Sequence, residues 1–235
     1  MYSSSHKNRG QDYHDKFDSE FVRSLNWIIE KKILAEALSG CDSVLDVATG
    51  TGRVIAHVKQ VYSMANVTGI DVSSSMLKVA IARNSNIRFI EADFTDSSVL
   101  SEKYDAITSF RFLPNADLSL MQKSIIRMSE LVNDEGIVVV NNHRSLSSFS
   151  NRLKRLLSKK GGSVGRCDSV IEDEFFQNGF SLIQAHSISL FPLGYEPYRW
   201  LHFPIRVLEL MNYKLLSRYH RLGQNNVLIF KKNHG

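Results

Sequence analysis

The stretch SVLDVATGTGRVIAHV, Ser43 to Val58, limits what this chain can fold into more than any other part of it. Val44, Leu45 and Val47 read as a short buried strand, Gly50 and Gly52 mark a sharp turn, and Val54, Ile55 and Val58 then recur at helical spacing. Strand, glycine turn and helix in that order open a nucleotide-binding α/β domain. Glycine takes the Cβ out of the approach path, so a ligand can lie against the backbone at a helix N-terminus.

Spacing separates the nucleotide sites that begin this way. A phosphate-cradling P-loop needs a Lys-Ser/Thr pair after its last glycine, and Arg53-Val54 stands there instead. A dinucleotide site needs a third glycine three residues after Gly52, where this chain has Ile55. The next predicted strand ends in Asp71, 19 residues beyond Gly52, where a carboxylate can accept from a ribose diol. The third strand is followed by Asp93 and Phe94, an acid for an exocyclic amine and a ring for an adenine face.

The rest of the chain alternates. Strands are predicted at 43–47, 66–70, 87–91, 104–109 and 136–141, with helices at 53–63, 74–83, 117–131 and near 168–178. Such alternation implies right-handed crossovers and a doubly wound, mostly parallel sheet of α/β class. The last two apolar runs, Phe180–Leu190 and Asn226–Lys231, have no ordinary crossover helix pattern between them and read as a terminal strand pair, completing seven strands. An amphipathic helix over Phe17–Leu38 precedes the first strand. The expected organisation is an N-terminal arm and cap helix over residues 1–40 and one domain over 41–235. Lid insertions follow the fifth and sixth strands, at about 142–167 and 191–223.

The four stretches LDVATGTG, GIDVSSSML, EADF and YDAITSFRFLPN, each at a strand end and in this order, resemble the Rossmann-like S-adenosylmethionine-dependent methyltransferases. The flavour is that of the ubiquinone and menaquinone biosynthesis enzymes, over about residues 40–142. The resemblance implies S-adenosylmethionine as cofactor and assigns roles residue by residue. Asp46 and the backbone of Ala48, Thr49, Gly50 and Gly52 would face its methionine part, and Asp71 its ribose. Val72 and Met76 would lie beside the adenine, Asp93 and Phe94 would read the adenine edge and face, and Phe110 would lie near the sulfonium. Tyr13 stands where relatives have an aromatic that closes over the cofactor. The family commonly has glycine where this chain has Ala48, a change tolerated if that residue keeps a negative φ. Each residue also has a plainer reading: Asp71 as the cap of the following helix, and Met76, Phe94 and Phe110 as core.

The acceptor is narrowed by what is missing. The turn after the fourth strand, SFRFLPN, is not the Asn/Asp-Pro-Pro-aromatic turn of nucleobase amine methylation and is followed by no Pro-Cys nucleophile. Ser109 and Asn141-Asn142 stand where metal-assisted catechol enzymes need carboxylates, so no metal is expected. A small molecule is the expected acceptor, with O-methylation preferred. The second insertion is dense in Tyr, Trp, Phe and Pro, which suits a bulky, partly apolar acceptor. A hydroxyl acceptor must lose a proton. His143, directly after GIVVVNN, is the candidate base by position, and His202, between Leu201 and Phe203 in the second insertion, is the alternative. Arg111 would pair with an acidic group of the acceptor or sit on the surface.

Charge raises the rival readings. The net charge of +5 divides into −3 for residues 1–143 (15 basic, 18 acidic) and +8 for 144–235 (14 basic, 6 acidic). Seven basic residues and no acid lie between Arg144 and Arg166. A solvated helix face is the preferred explanation, ahead of a membrane-surface contact, and nucleic-acid binding is not expected because only Phe149 is interleaved for stacking. The alternatives carried forward are an RNA or lipid-linked acceptor and a cofactor-binding protein without activity. The N-terminus has no apolar signal core and Cys41 and Cys167 have no partners at ligand spacing, so a reduced, cytoplasmic protein is expected.

Overall fold

The apolar runs marked above become strands and helix faces in the computed structural model, which describes residues 20–143, 145–149, 151–152, 165–190, 200–215 and 222–234. In chain order the elements are α1 (Phe21–Ala37), β1 (Ser43–Val47), α2 (Arg53–Val61), β2 (Asn66–Asp71), α3 (Ser74–Arg83), β3 (Arg88–Glu91) and β4 (Tyr104–Phe110). They continue with α4 (Leu118–Leu131), β5 (Val132–His143), α5 (Asp168–Gln177), β6 (Phe180–Ile188), α6 (His202–Leu215) and β7 (Asn225–Lys232).

The strands form one sheet in the order β3-β2-β1-β4-β5-β7-β6. All pairs are parallel except those of β7, which runs antiparallel to both β5 and β6. The central strands are buried on both faces, as parallel strands covered by helices are. On one face Leu45, Ile107, Val138 and Phe230 pack under α4 and α5 through Met121, Ile125 and Phe175. On the other, Val44, Ala106, Val139 and Ile229 pack under α1, α2 and α6 through Ile29, Ile55 and Ile205. Asp117 caps α4 by accepting from the Leu120 amide at 2.8 Å.

Two elements differ from expectation. β5 starts at Val132, directly after α4, because Glu135 takes a left-handed turn (φ 63°) before Gly136 and lets the chain rejoin the ladder. The second insertion contains the 14-residue helix α6, whose periodicity is blurred in sequence because both of its faces carry apolar side chains. Among the described residues no helix is long and apolar enough to cross a membrane.

Candidate functional site

Strand order reverses between β1 and β4, and open α/β sheets place their ligands beyond the strand ends at such a point. Asp46, near the end of β1, is fully buried there. Its Oδ2 accepts from the Thr49 hydroxyl and its Oδ1 from the Thr108 hydroxyl of β4, each at 2.6 Å. Burial pushes the Asp46 carboxyl up to about 6, against the opposing effect of the Thr108 and Thr49 hydrogen bonds.

The loop that follows is shaped by left-handed backbone at Ala48 (φ 56°), Gly50 (φ 57°) and Gly52 (φ 73°). Ala48 therefore does not keep the negative φ expected of it; it occupies a conformation that disfavours a Cβ, and this explains the glycine usual there in the family. The two glycines have different jobs. A Cβ on Gly50 would meet nothing within 4 Å, so that side of the loop is open to a ligand. A Cβ on Gly52 would stand 3.0 Å from Ala80 Cβ and 3.1 Å from the Phe89 ring, so Gly52 serves helix and strand packing.

Asp71 closes the rim at the end of β2. Its Oδ2 accepts from the Gly50 amide and its Oδ1 from the Ser73 amide, each at 2.8 Å. Burial raises its carboxyl, opposed by amide bonds from Ser73, Gly50 and Val72. Asp71 thus ties the turn before α3, whose N-cap is Ser73, to the glycine loop. Val72 beside it is 41% exposed, an apolar surface at the rim, while Met76 is buried in the first turns of α3. Asp93 is exposed beyond β3 and accepts from the amide and hydroxyl of Thr95 through Oδ1, at 2.9 and 2.8 Å.

Both strand-end aromatics are buried. Phe94 and Phe110 are 7% and 9% exposed and packed in the two cores, so each ring is chiefly a core residue with little face left for a ligand. Arg111 is neither on the surface nor available to an acidic acceptor in the way expected. Its Nη2 donates to both carboxylate oxygens of the fully buried Glu30 in α1, at 3.0 and 3.2 Å. Asn141 of β5 donates to the same Glu30 at 3.2 Å. Because the ionised carboxylate only accepts, this fixes the orientation of the Asn141 amide and turns its Oδ1 away. That oxygen is buried with no hydrogen-bond partner among the described residues. One turn earlier in α1, Asn26 accepts from the Ser189 hydroxyl at 2.6 Å. Glu30 and Asn26 were missed in the sequence, although both fall within the apolar stripe Leu25, Ile29, Ile33 of their helix. A polar residue inside such a stripe is the available signal.

His143 ends β5, partly buried, in register with Asn225 of β7. His202 is the first residue of α6, and its ring lies flat on Phe21 of α1, centroids 3.8 Å apart and 7° from parallel. The two candidate bases thus belong to different layers, the sheet end and the cap. Tyr13 lies outside the described residues. On the opposite face the start of the first insertion is anchored by Asp168. This fully buried carboxylate accepts from Asn142 (2.6 Å), Ser145 (2.7 Å) and Asn226 (2.8 Å).

A cleft of about 490 Å³ lies beside the glycine loop, lined by Trp27, Arg53, His57, Lys59 and Arg83 among others. Its positive character is partly spent internally: Lys59 donates to the carbonyls of Ser63 and Ala65, and Arg53 lies over the Trp27 ring at 4.2 Å.

Residues 39–186, well over half of the chain, match the family model described as a methyltransferase domain. The chain belongs to this family, the Rossmann-like S-adenosylmethionine-dependent methyltransferases. It is 29% identical over 129 residues to the ubiquinone/menaquinone biosynthesis C-methyltransferase UbiE of Campylobacter jejuni (strain 81-176), covering 53% of this chain and 49% of that protein. It is 39% identical over 67 residues to the demethylmenaquinone methyltransferase of Thermotoga maritima, covering 28% and 29%. The chain thus spans half or less of the length of these curated relatives. In fold it is similar to magnesium protoporphyrin IX methyltransferase (ChlM) from Synechocystis PCC 6803 with bound SAH. The TM-score is 0.67 at 15% identity, over 97% of this chain and 96% of that one.

Proposed function

We propose that the chain binds S-adenosylmethionine across the ends of β1, β2 and β3 and directs its methyl group to a small-molecule acceptor, with O-methylation preferred. The observation that carries this reading is the bond between Gly50 and Asp71. It joins the open side of the glycine loop and the acid of β2 into one rim where ribose hydroxyls and loop amides meet. Asp71 would take the ribose, Val72 and Met76 the adenine flank, and Asp93 its amine edge. The backbone of Ala48, Thr49 and Gly50 above Asp46 would meet the methionine part.

When bound, S-adenosylmethionine supplies a methyl group on a sulfonium whose thioether leaves without a proton. What remains for the protein is alignment, which contributes about 7 to 11 kcal/mol in well-oriented systems, and removal of the acceptor proton. His143 at the end of β5 is the proposed base, with His202 in the cap as alternative. The names of UbiE, demethylmenaquinone methyltransferase and magnesium protoporphyrin IX methyltransferase support a bulky, partly apolar small molecule. Because UbiE is named a C-methyltransferase, a carbon acceptor is the second reading; it needs the same proton removed.

Calorimetric titration with S-adenosylmethionine, S-adenosylhomocysteine and NAD tests the cofactor. Binding of the first two in preference to NAD is expected, since Asp71 and Asp93 read an adenosine and Ile55 replaces the packing glycine of a dinucleotide site. Tight NAD binding without a response to S-adenosylmethionine would overturn the reading.

A further inference from the structure

The outward face of α6 is apolar. Trp200, two residues before the helix, and Phe203, Val207 and Met211 along it fall on one side, with Leu208 next to them. All five are exposed: Trp200 and Phe203 at 77% and Met211 at 57%. A surface helix ordinarily turns its polar side to water, so a simple roll would hide this face. The helix is held against rolling. Ile205 is buried in the core beneath it, and His202 is stacked on Phe21. Glu209, also buried, accepts from the amides of Ser189 at 3.2 Å and Leu190 at 2.7 Å.

The sequence of and around this helix carries charge of nearly one sign. Residues 199–221 contain Arg199, Arg206, Lys214, Arg218 and Arg221 against a single acid, Glu209, and that acid is turned inward onto backbone amides. Arg206 is exposed on the flank of the helix.

We propose that α6 docks on the surface of an anionic lipid bilayer, with Trp200, Phe203, Val207 and Met211 entering the headgroup region and the surrounding cations meeting lipid phosphates. Exposed aromatic and aliphatic side chains on one face, with Arg206 on the flank and further Lys and Arg in the adjoining sequence, suit an interfacial helix, and tryptophan favours that depth. A single-stranded nucleic acid would use the two rings as stacking platforms but has no use for Val207, Leu208 and Met211. A second copy of the chain on this face would bring two basic segments together. The stack of His202 on Phe21 joins the docked helix to α1, so the bilayer would adjoin the cap of the site. This inference stands apart from methyl transfer and is tested separately from it.

The test is flotation of the full chain with vesicles of phosphatidylglycerol and phosphatidylcholine in equal parts, against phosphatidylcholine alone, at low and high salt. Wild type is expected to float with the anionic vesicles and to lose binding as salt rises. Phe203→Asp/Met211→Asp should bind them at least about tenfold more weakly, with melting midpoint and S-adenosylhomocysteine affinity unchanged. The blue shift of tryptophan emission on vesicles should vanish in Trp200→Phe, which retains Trp27. Four results would overturn the proposal. Wild type shows no preference for anionic vesicles, or the double variant floats equally well. Light scattering finds a dimer that the double variant splits, or RNA binds more tightly than vesicles through the same residues. A double variant that melts well below wild type, with no vesicle binding by either, would mean that the chain itself covers this face.

Discussion

Arg111 Nη2 lies 3.0 Å from Glu30 Oε1 and 3.2 Å from Glu30 Oε2, an ion pair between residues 81 positions apart that pins α1 across the ends of β4 and β5. Glu30 is fully buried and Arg111 keeps 15% of its side chain exposed. Arg111 also holds a left-handed backbone, φ 63°, at the bend leaving β4. The pair is a structural tie between cap and sheet.

Removing one partner of a buried pair leaves the other charge uncompensated. Arg111→Ala should therefore lose about 3 to 5 kcal/mol of stability. Glu30→Gln should lose less, because a neutral amide can still bond Asn141 and leaves only the partly solvated Arg111 charge alone. Urea unfolding of both variants measures the difference. Equal losses would mean that Arg111 contributes by packing.

Asp71 clamps the glycine loop and is proposed to hold the ribose, so its variants should fail in two assays. Asp71→Ala removes the acceptor of the Gly50 and Ser73 amides and should cost about 1 to 3 kcal/mol of stability, with a cofactor-affinity loss of similar size. Asp71→Asn keeps one acceptor oxygen and should fold better while binding cofactor weakly. If a folded Asp71 variant binds S-adenosylhomocysteine as wild type does in calorimetry, Asp71 is a loop clamp alone.

Asp46 makes stability depend on pH in an unusual direction. Its folded carboxyl, at about 6, lies above the ordinary 3.8, so the folded state holds its proton longer than the unfolded chain does. Stability should thus fall as pH rises from about 4 to about 6 and level off above that, with the raised carboxyl of Asp71 acting in the same sense. Asp46→Asn should flatten this part of the profile and stabilise the protein at pH 7 by on the order of 2 kcal/mol. It should also weaken cofactor binding. Thermal melts across the window decide it: a wild-type stability that climbs from pH 4 to 6 and an unchanged slope in the variant would place the effect on other groups.

His143→Ala tests the proposed base. Turnover should fall about 100- to 10,000-fold with cofactor affinity nearly unchanged, and in wild type the rate should drop at acid pH as the imidazole becomes protonated. Steady-state kinetics with an identified acceptor, together with a melt of the variant, separate this from a structural loss. A folded variant within a few-fold of wild type would move the assignment to His202.

Much of this molecule could be read from local pattern. The strand, glycine turn and helix at Ser43–Val58, the acid at the end of β2 and the terminal strand pair depend on residue spacing over a few positions, where backbone geometry and alternation act. Asp71 and the open side of Gly50 were therefore legible. Phe94 and Phe110 were not: an aromatic at a strand end has the same sequence signature whether its ring faces the core or a ligand, and only the packing around it decides. Arg111 likewise looked like an exposed cation after a strand.

What the sequence determined by itself, then, is the order of elements, the class of sheet and the polar rim that a nucleoside cofactor needs, because these follow from periodicity and turn chemistry. Tertiary structure alone decided the pairings across long separations: Glu30 with Arg111, Asp46 with Thr108, Asn26 with Ser189. It also decided which face of α6 is left to solvent. The physical reason is that a buried polar group finds its partner through the whole fold, and the cost of leaving it unpaired is set by burial that no local stretch of sequence encodes.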